Sequence, residues 1–363
     1  MVYLDANATE PLRPAAREAA LAAMAAAGNP SSIHGAGREA RKILEAARET
    51  VARHCFARPA DVIFTSGATE ANAFALHALG KGRPIIIGAT EHDSIRATAP
   101  DAITLPVRPD GTLAPETLEA ALTAHPGALL CLMAANNETG VLHDIEFAAK
   151  TCATLGALLH IDAVQAIGRT NRDWLGMGAT SLSLSGHKFG GPMGAGALII
   201  RQGIEIEALT KGGGQEQGRR GGTPPLPAIA GLAAALDEIY EADKISAYRD
   251  EIEAFCINLG AIAAGNTALR LPNTTNLALP GVRAETQLIA LDMEGIAVSA
   301  GSACSSGKLA ASHVLTAMGY GDLAAQAIRV SLPWNVTADS VGKFTTAYAA
   351  MVKRALRRAE HSA

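Results

Sequence analysis

The chain has 363 residues, 48% of them hydrophobic, and 31 basic against 35 acidic side chains give a net charge of -4. That is enough for a large core and two globular domains, and the absence of a basic block argues against nucleic acid as the main partner. Five cysteines (Cys55, Cys131, Cys152, Cys256, Cys304) without C-x-x-C spacing fit neither a disulfide framework nor a metal site built within one chain, so no metal is expected.

Residues 1–5 read as a strand and lack the basic segment and apolar core of a signal or transit peptide. The alanine-rich run 19–27 is too short and too weakly apolar to span a bilayer. The expected location is therefore cytoplasmic, with no membrane partner. The glycines at 35–37 and 212–214 match no dinucleotide fingerprint and are expected as turns. Strands at 62–65, 84–87 and 129–134 alternate with a helix starting near Ala68 and another over 144–155, the signature of a mostly parallel sheet. Further strands are predicted at 158–161, 181–184 and 196–200. The last two are too close for a helical crossover and are expected to be joined by a tight turn, which makes the sheet mixed. A loop from Lys211 to Pro227 leads into helices over 228–242 and 245–263. Strands at 275–279, 296–299 and 327–332, with helices at 284–293 and 338–355, then form a second, smaller α/β unit.

Several strand ends carry chemistry. Lys188 follows the run Ser181–Ser185 and precedes Phe189-Gly190-Gly191-Pro192, where an amine can act as a Schiff-base nucleophile toward a carbonyl cofactor. Asp162 ends a neighbouring strand, where a carboxylate can keep a pyridinium nitrogen protonated. Together they suggest pyridoxal phosphate (PLP). Ala68 and Thr69 open a helix after a strand, a place that favours an anion, and Ser185 and His187 offer further donors. His92 follows another strand, where it can stack on a ring and carry protons. Asn137, in Asn136-Asn137-Glu138-Thr139-Gly140, can bind a cofactor oxygen or a substrate carboxylate, and Arg329, a guanidinium within an apolar strand, can bind a carboxylate. Cys304 lies in a small-residue loop that suits an exposed nucleophile. Taken singly, each feature has a plain reading: a solvated lysine, a capped helix, a loop histidine, a turn, a paired arginine, an incidental thiol.

Their order along nearly the whole chain is more specific. Tyr3-Leu4-Asp5-Ala6-Asn7-Ala8-Thr9, Gly28 through His34, Gly67-Ala68-Thr69-Glu70, Glu91-His92, Asn136 through Gly140, Asp162-Ala163-Val164-Gln165, Ser185-Gly186-His187-Lys188, Gly301-Ser302-Ala303-Cys304 and Arg329 occur in sequence. In this the chain resembles the cysteine desulfurases of the NifS/IscS group, within the class V aminotransferase family of fold-type I PLP-dependent transferases. The resemblance implies an α/β large domain with a mostly parallel mixed sheet flanked by helices (15–245), and a smaller α/β domain (1–14 and 246–363) carrying the cysteine loop. It implies that Lys188 forms the Schiff base, Asp162 pairs with the ring nitrogen, Gln165 contacts the ring hydroxyl oxygen and His92 stacks on the ring. The phosphate falls to Ala68, Thr69, Ser185 and His187, with Thr223 reaching the phosphate of the other subunit of a homodimer. Asn137 and Arg329 hold the substrate carboxylate. The implied reaction converts L-cysteine to L-alanine, with sulfur taken as a persulfide on Cys304, Lys188 and His92 carrying protons, and sulfur passed to an acceptor protein for iron–sulfur cluster or other cofactor synthesis.

The chain departs from the family pattern at Gln217, Pro224 and Pro225, at Pro333-Trp334, where an arginine is usual, and at Ala6 and Glu10, where Asn and Thr are common. Selenocysteine lyase or transaminase chemistry on the same scaffold, or a non-catalytic sulfur-carrier subunit, are the alternative readings.

Overall fold

The computed structural model describes residues 1–301 and 311–360. The chain opens with β1 (Val2–Tyr3), α1 (Pro14–Ala25) and α2 (Gly35–His54). Residues 35–37 are not the expected turn but the first turn of α2, capped by His34, whose ring nitrogen accepts from the Gly37 N–H at 3.2 Å. A Cβ on Gly37 would lie 2.4 Å from the Ser32 carbonyl oxygen, so glycine is there to admit the preceding loop. Ala40, Leu44, Ala47 and Val51 bury one face of α2 at helical spacing.

The central sheet follows: β2 (Val62–Thr65), α3 (Ala68–Gly80), β3 (Ile85–Gly88), α4 (Asp93–Arg96), β4 (Ile103–Leu105), α5 (Pro115–Ala124), β5 (Leu129–Met133), α6 (Ile145–Leu155), β6 (Leu158–Asp162), β7 (Ser181–Ser185) and β8 (Gly196–Ile200). Its seven strands run in the order β2-β8-β7-β6-β5-β3-β4, with β8 antiparallel to both neighbours and the others parallel. The sheet is mixed as predicted, yet β7 and β8 are joined by residues 186–195, including a 3₁₀ turn at Gly186–Lys188, and not by a tight turn. Every residue of β5, β7 and β8 is buried, as strands covered on both faces require. In β7 this holds even for the three serines, whose alternation with leucine would otherwise signal a wet face.

Next come α7 (Leu226–Leu236), α8 (Ala242–Asn258), β9 (Ile262–Ala263), β10 (Thr274–Ala278), α9 (Ala284–Asp292), β11 (Ile296–Ala297), β12 (Ser299–Ala300), α10 (His313–Ala317), β13 (Ala327–Ser331) and α11 (Ala338–Glu360). The strand expected at 296–299 is two strands: β11 pairs with β1, and β12 joins the antiparallel sheet β12-β13-β10-β9. A second apolar cluster, including Leu4, Ile252, Leu277, Ile328 and Phe344, fills the space between this sheet and its helices. Cys55, Cys131, Cys152 and Cys256 are all buried, and burial pushes the Cys55 thiol up to about 12, so these four act as small apolar side chains. Among the described residues no helix is long and apolar enough to cross a membrane.

The departure at Gln217 has a local anchor. Glu216 and Gln217 adopt φ of 49° and 59°, a left-handed pair costly for side-chain-bearing residues. The Glu216 carboxylate is held by both Arg48 guanidinium nitrogens at 2.7 and 2.8 Å and by the Phe64 N–H at 2.9 Å. Pro224 and Pro225 lead into α7, where a missing N–H costs nothing.

Candidate functional site

A cleft of about 570 Å³ opens where the parallel strands end, between the central sheet and the small antiparallel one. Ala68, Thr69, His92, Asn137, Asp162, Gln165, Ser185, His187, Lys188 and Arg329 all line it. Thr223 is exposed and does not. Cys304 lies outside the described residues; Ser299 and Gly301, which precede it, border the cleft.

Lys188 reaches the cleft from the turn after β7. Its Nζ donates to the carbonyls of Asn7 at 2.7 Å and Ala8 at 3.0 Å, so the N-terminal segment lies against the amine. Burial, and then the guanidinium charges of Arg329 and Arg169, bring this amine down from 10.5 to about 8. Asp162 ends β6, with Oδ1 accepting from the Val164 N–H at 3.1 Å and Oδ2 from Asn72 Nδ2 at 2.8 Å. The first turn of α3 has no side-chain cap, because Gly67 stands at the N-cap, so its N–H groups are open to an anion. The close approach of β8 here needs Gly196, where a Cβ would sit 2.7 Å from the Gly67 Cα. Glu70, nearby, is neutralised by the Arg220 guanidinium at 2.8 and 3.1 Å. Burial and the Lys188 charge hold His187 down at about 4, so it stands beside the helix N-terminus as a neutral imidazole, 3.1 Å from Thr9 Oγ1.

His92 caps α4, its Nδ1 accepting from the Ser94 N–H at 3.0 Å. Its Nε2 is the ring nitrogen left for the cleft. Gln165 donates to the Asn7 carbonyl at 3.0 Å and accepts from Arg169. Arg169 in turn meets Glu10 at 3.0 Å, both side chains 1% exposed. Arg329 donates to Asp5 Oδ1 at 2.6 Å and to the Asn137 carbonyl at 3.1 Å, while its buried Nε–H has no partner among the described residues.

Reading by motif missed Asn7, Glu10, Asn72 and Arg169 as site residues. Asn7 acts through its main-chain carbonyl, which no side-chain pattern advertises. Asn72 looks like one more position on an apolar helix. Glu10 was visible only as an unexplained departure, and its explanation joins it to the one at Trp334: its Oε1 accepts from the Trp334 N–H at 2.6 Å, and the Trp334 ring lies under the Arg13 guanidinium at 5.2 Å. Glu10 and Trp334 thus belong to a single packed cluster behind Gln165.

The model of the family described as aminotransferase class-V matches residues 2–344. A cysteine desulfurase of Cereibacter sphaeroides is 39% identical over 358 residues, covering 93% of this chain and 92% of that one. A NifS-like protein from Rickettsia africae ESF-5, of solved structure, superposes with a TM-score of 0.91 at 34% identity, covering 97% and 99% of the two chains. The structure described as SspA in complex with cysteine gives a TM-score of 0.82 at 29% identity over 92% of this chain and 99% of that one. By family match, sequence and fold over nearly its whole length, the chain belongs to the aminotransferase class-V family and, within it, to the NifS/IscS group of cysteine desulfurases.

Proposed function

We infer that the chain is a PLP-dependent cysteine desulfurase, converting L-cysteine to L-alanine and taking the sulfur on Cys304. The observation that carries this reading is the convergence in one cleft of a lysine amine held below its ordinary pKa, a strand-end carboxylate and an uncapped helix N-terminus. Those three fit PLP in kind: an amine for its aldehyde, a carboxylate for its ring nitrogen, and N–H donors for its phosphate. When bound, PLP supplies a conjugated ring that accepts the electron pair of a substrate Cα–H bond.

The residues divide the remaining work. Ala68, Thr69, Ser185 and His187 hold the phosphate, and Gln165, fixed by Arg169 and the Asn7 carbonyl, addresses the ring hydroxyl oxygen. His92, which lines the same cleft, would stack on the ring. Arg329, with Asn137, takes the substrate carboxylate. Lys188 would move the Cα proton, and His92 Nε2 would be the second proton carrier. The Cys304 thiolate attacks the substrate sulfur: an S–S bond forms, the Cβ–S bond breaks, and its electron pair stays on the carbon that protonation makes the alanine methyl group. A sulfur-acceptor protein, such as an iron–sulfur scaffold, then takes the persulfide in the cytoplasm. Thr223, exposed and off the cleft, suits a homodimer in which it reaches the partner's phosphate. The same reading divides the chain into 15–245, and 1–14 with 246–363.

The test is to supply purified protein with PLP, L-cysteine and a thiol reductant and quantify alanine and sulfide. Equal amounts, lost in Cys304→Ala, are the expected result. Sulfide at the wild-type rate from that variant would remove Cys304 from the mechanism, and pyruvate or amino-group transfer without alanine would replace desulfuration altogether. A second expectation concerns pH. Only the neutral amine attacks an aldehyde, so PLP capture by the apo-protein should quicken about tenfold per pH unit up to about 8 and then level off. A rate still climbing toward pH 10 would mean an ordinary, solvated lysine.

A further inference from the structure

Asn72, on α3, is fully buried and has every hydrogen-bonding position of its side chain occupied. Its Nδ2 donates to Asp162 Oδ2 and to Ser94 Oγ, each at 2.8 Å. Its Oδ1 accepts from the Ser183 hydroxyl and lies 3.0 Å from His160 Nε2, while His160 Nδ1 lies 2.8 Å from Ser181 Oγ. The reverse amide orientation would set its oxygen against the Asp162 carboxylate, acceptor against acceptor.

The proton positions follow from these fixed donors. An amide oxygen only accepts, so His160 carries its proton on Nε2 and the Ser181 hydroxyl donates to Nδ1. Burial holds His160 at about 3, so the ring stays neutral in that tautomer. Ser94 Oγ accepts from Asn72 and has one proton of its own. That proton faces His92 Nδ1 at 2.9 Å, a nitrogen already acting as acceptor toward the Ser94 N–H. One directed chain therefore runs from β7 through His160 and Asn72, and it forks to Asp162 on one side and, by way of Ser94, to His92 on the other.

We propose that Asn72 is a positioning residue that fixes Asp162 and His92 together: it holds one carboxylate oxygen of Asp162 in place, and through Ser94 it holds His92 with Nδ1 as acceptor, so that Nε2 faces the cleft. No other described side chain bonds both Asp162 and Ser94. The inference rests on PLP as the cofactor of the cleft.

Asn72→Asp tests it with almost no change of shape. Both donors are lost, and the introduced carboxylate stands against Asp162, where two like charges share one proton and leave Asp162 a poorer partner for a ring nitrogen. The expected result, by equilibrium dialysis of the apo-protein, is PLP affinity about tenfold to a hundredfold weaker. PLP labelled with ¹⁵N in its ring should at the same time show a signal shifted toward the unprotonated pyridine. A purely structural role would lower the melting temperature without moving that signal. Ser94→Ala cuts only the other branch: the ¹⁵N signals of the His92 ring in the apo-protein should move, while the ring-nitrogen signal of bound PLP stays in place. Wild-type affinity and ring signal in a folded Asn72→Asp protein would overturn the inference. Should that variant not fold, unchanged His92 signals in Ser94→Ala would overturn it. Wild-type protein that takes up no PLP would instead overturn the cofactor reading, and this inference with it.

Discussion

Lys188→Ala should abolish covalent capture of PLP and lower alanine formation about 10³–10⁴-fold, because under the proposed function the variant loses both the attacking amine and the base for the Cα proton. Absorbance of the protein mixed with PLP, and alanine release, measure the two effects separately. The fold should tolerate the change. Lys188 is half-buried, and that burial, with like charge from Arg329 and Arg169, disfavours its own ammonium form even though two carbonyls accept from it. The folded-state value of about 8 lies below the ordinary 10.5, so between those limits the unfolded chain binds more protons and apo-protein stability rises with pH. Alanine should remove that rise while leaving stability at pH 7 equal or higher. A variant that still forms the PLP adduct would show that another amine serves the site; one that unfolds would show that the lysine is a structural tie.

Glu10→Gln should destabilise the protein by about 3–5 kcal/mol, the cost of leaving a buried charge without its partner. Burial pushes the Glu10 carboxyl up, and the Arg169 guanidinium and the Trp334 N–H oppose that rise. Glutamine can still accept from the Trp334 N–H, so the measured loss isolates the charge on Arg169. Urea unfolding of the apo-protein measures it, and a loss under about 1 kcal/mol would show that the pair is not what holds the cluster. Replacing both partners by methionine should recover most of the stability, since an apolar pair of similar volume can substitute for a buried ion pair. It should not recover cofactor affinity, because Arg169 is also the donor that orients Gln165. Stability and binding then separate in one double variant.

Much of the site was legible in the chain because its residues sit at strand ends. Lys188, Asp162, His92 and Thr69 each follow or close a strand whose hydrophobic pattern announces it, and in a parallel sheet those ends gather at one edge. Side-chain type and local position carried the chemistry that far, and the order of the motifs carried the family. Local pattern failed where one rule masked another. Gly35 and Gly37 looked like turn residues but open a helix, because the need at Gly37 is room for the Ser32 carbonyl and not freedom of φ. Ser181 and Ser183 of β7, which the strand pattern left without a role, line a buried polar chain.

The rest was decided by tertiary structure alone. Glu10 meets Arg169 and Trp334, Lys188 meets the Asn7 carbonyl, and Asn72 meets Asp162, all across long stretches of chain. Such contacts leave no period, because helix and strand patterns record only which face a residue turns to the core, not which distant polar atom waits there. The sequence by itself determined the sheet, the chemical groups at its edge and the family. The tertiary structure determined how those groups are held, because a buried polar atom must find a partner wherever the folded chain supplies one.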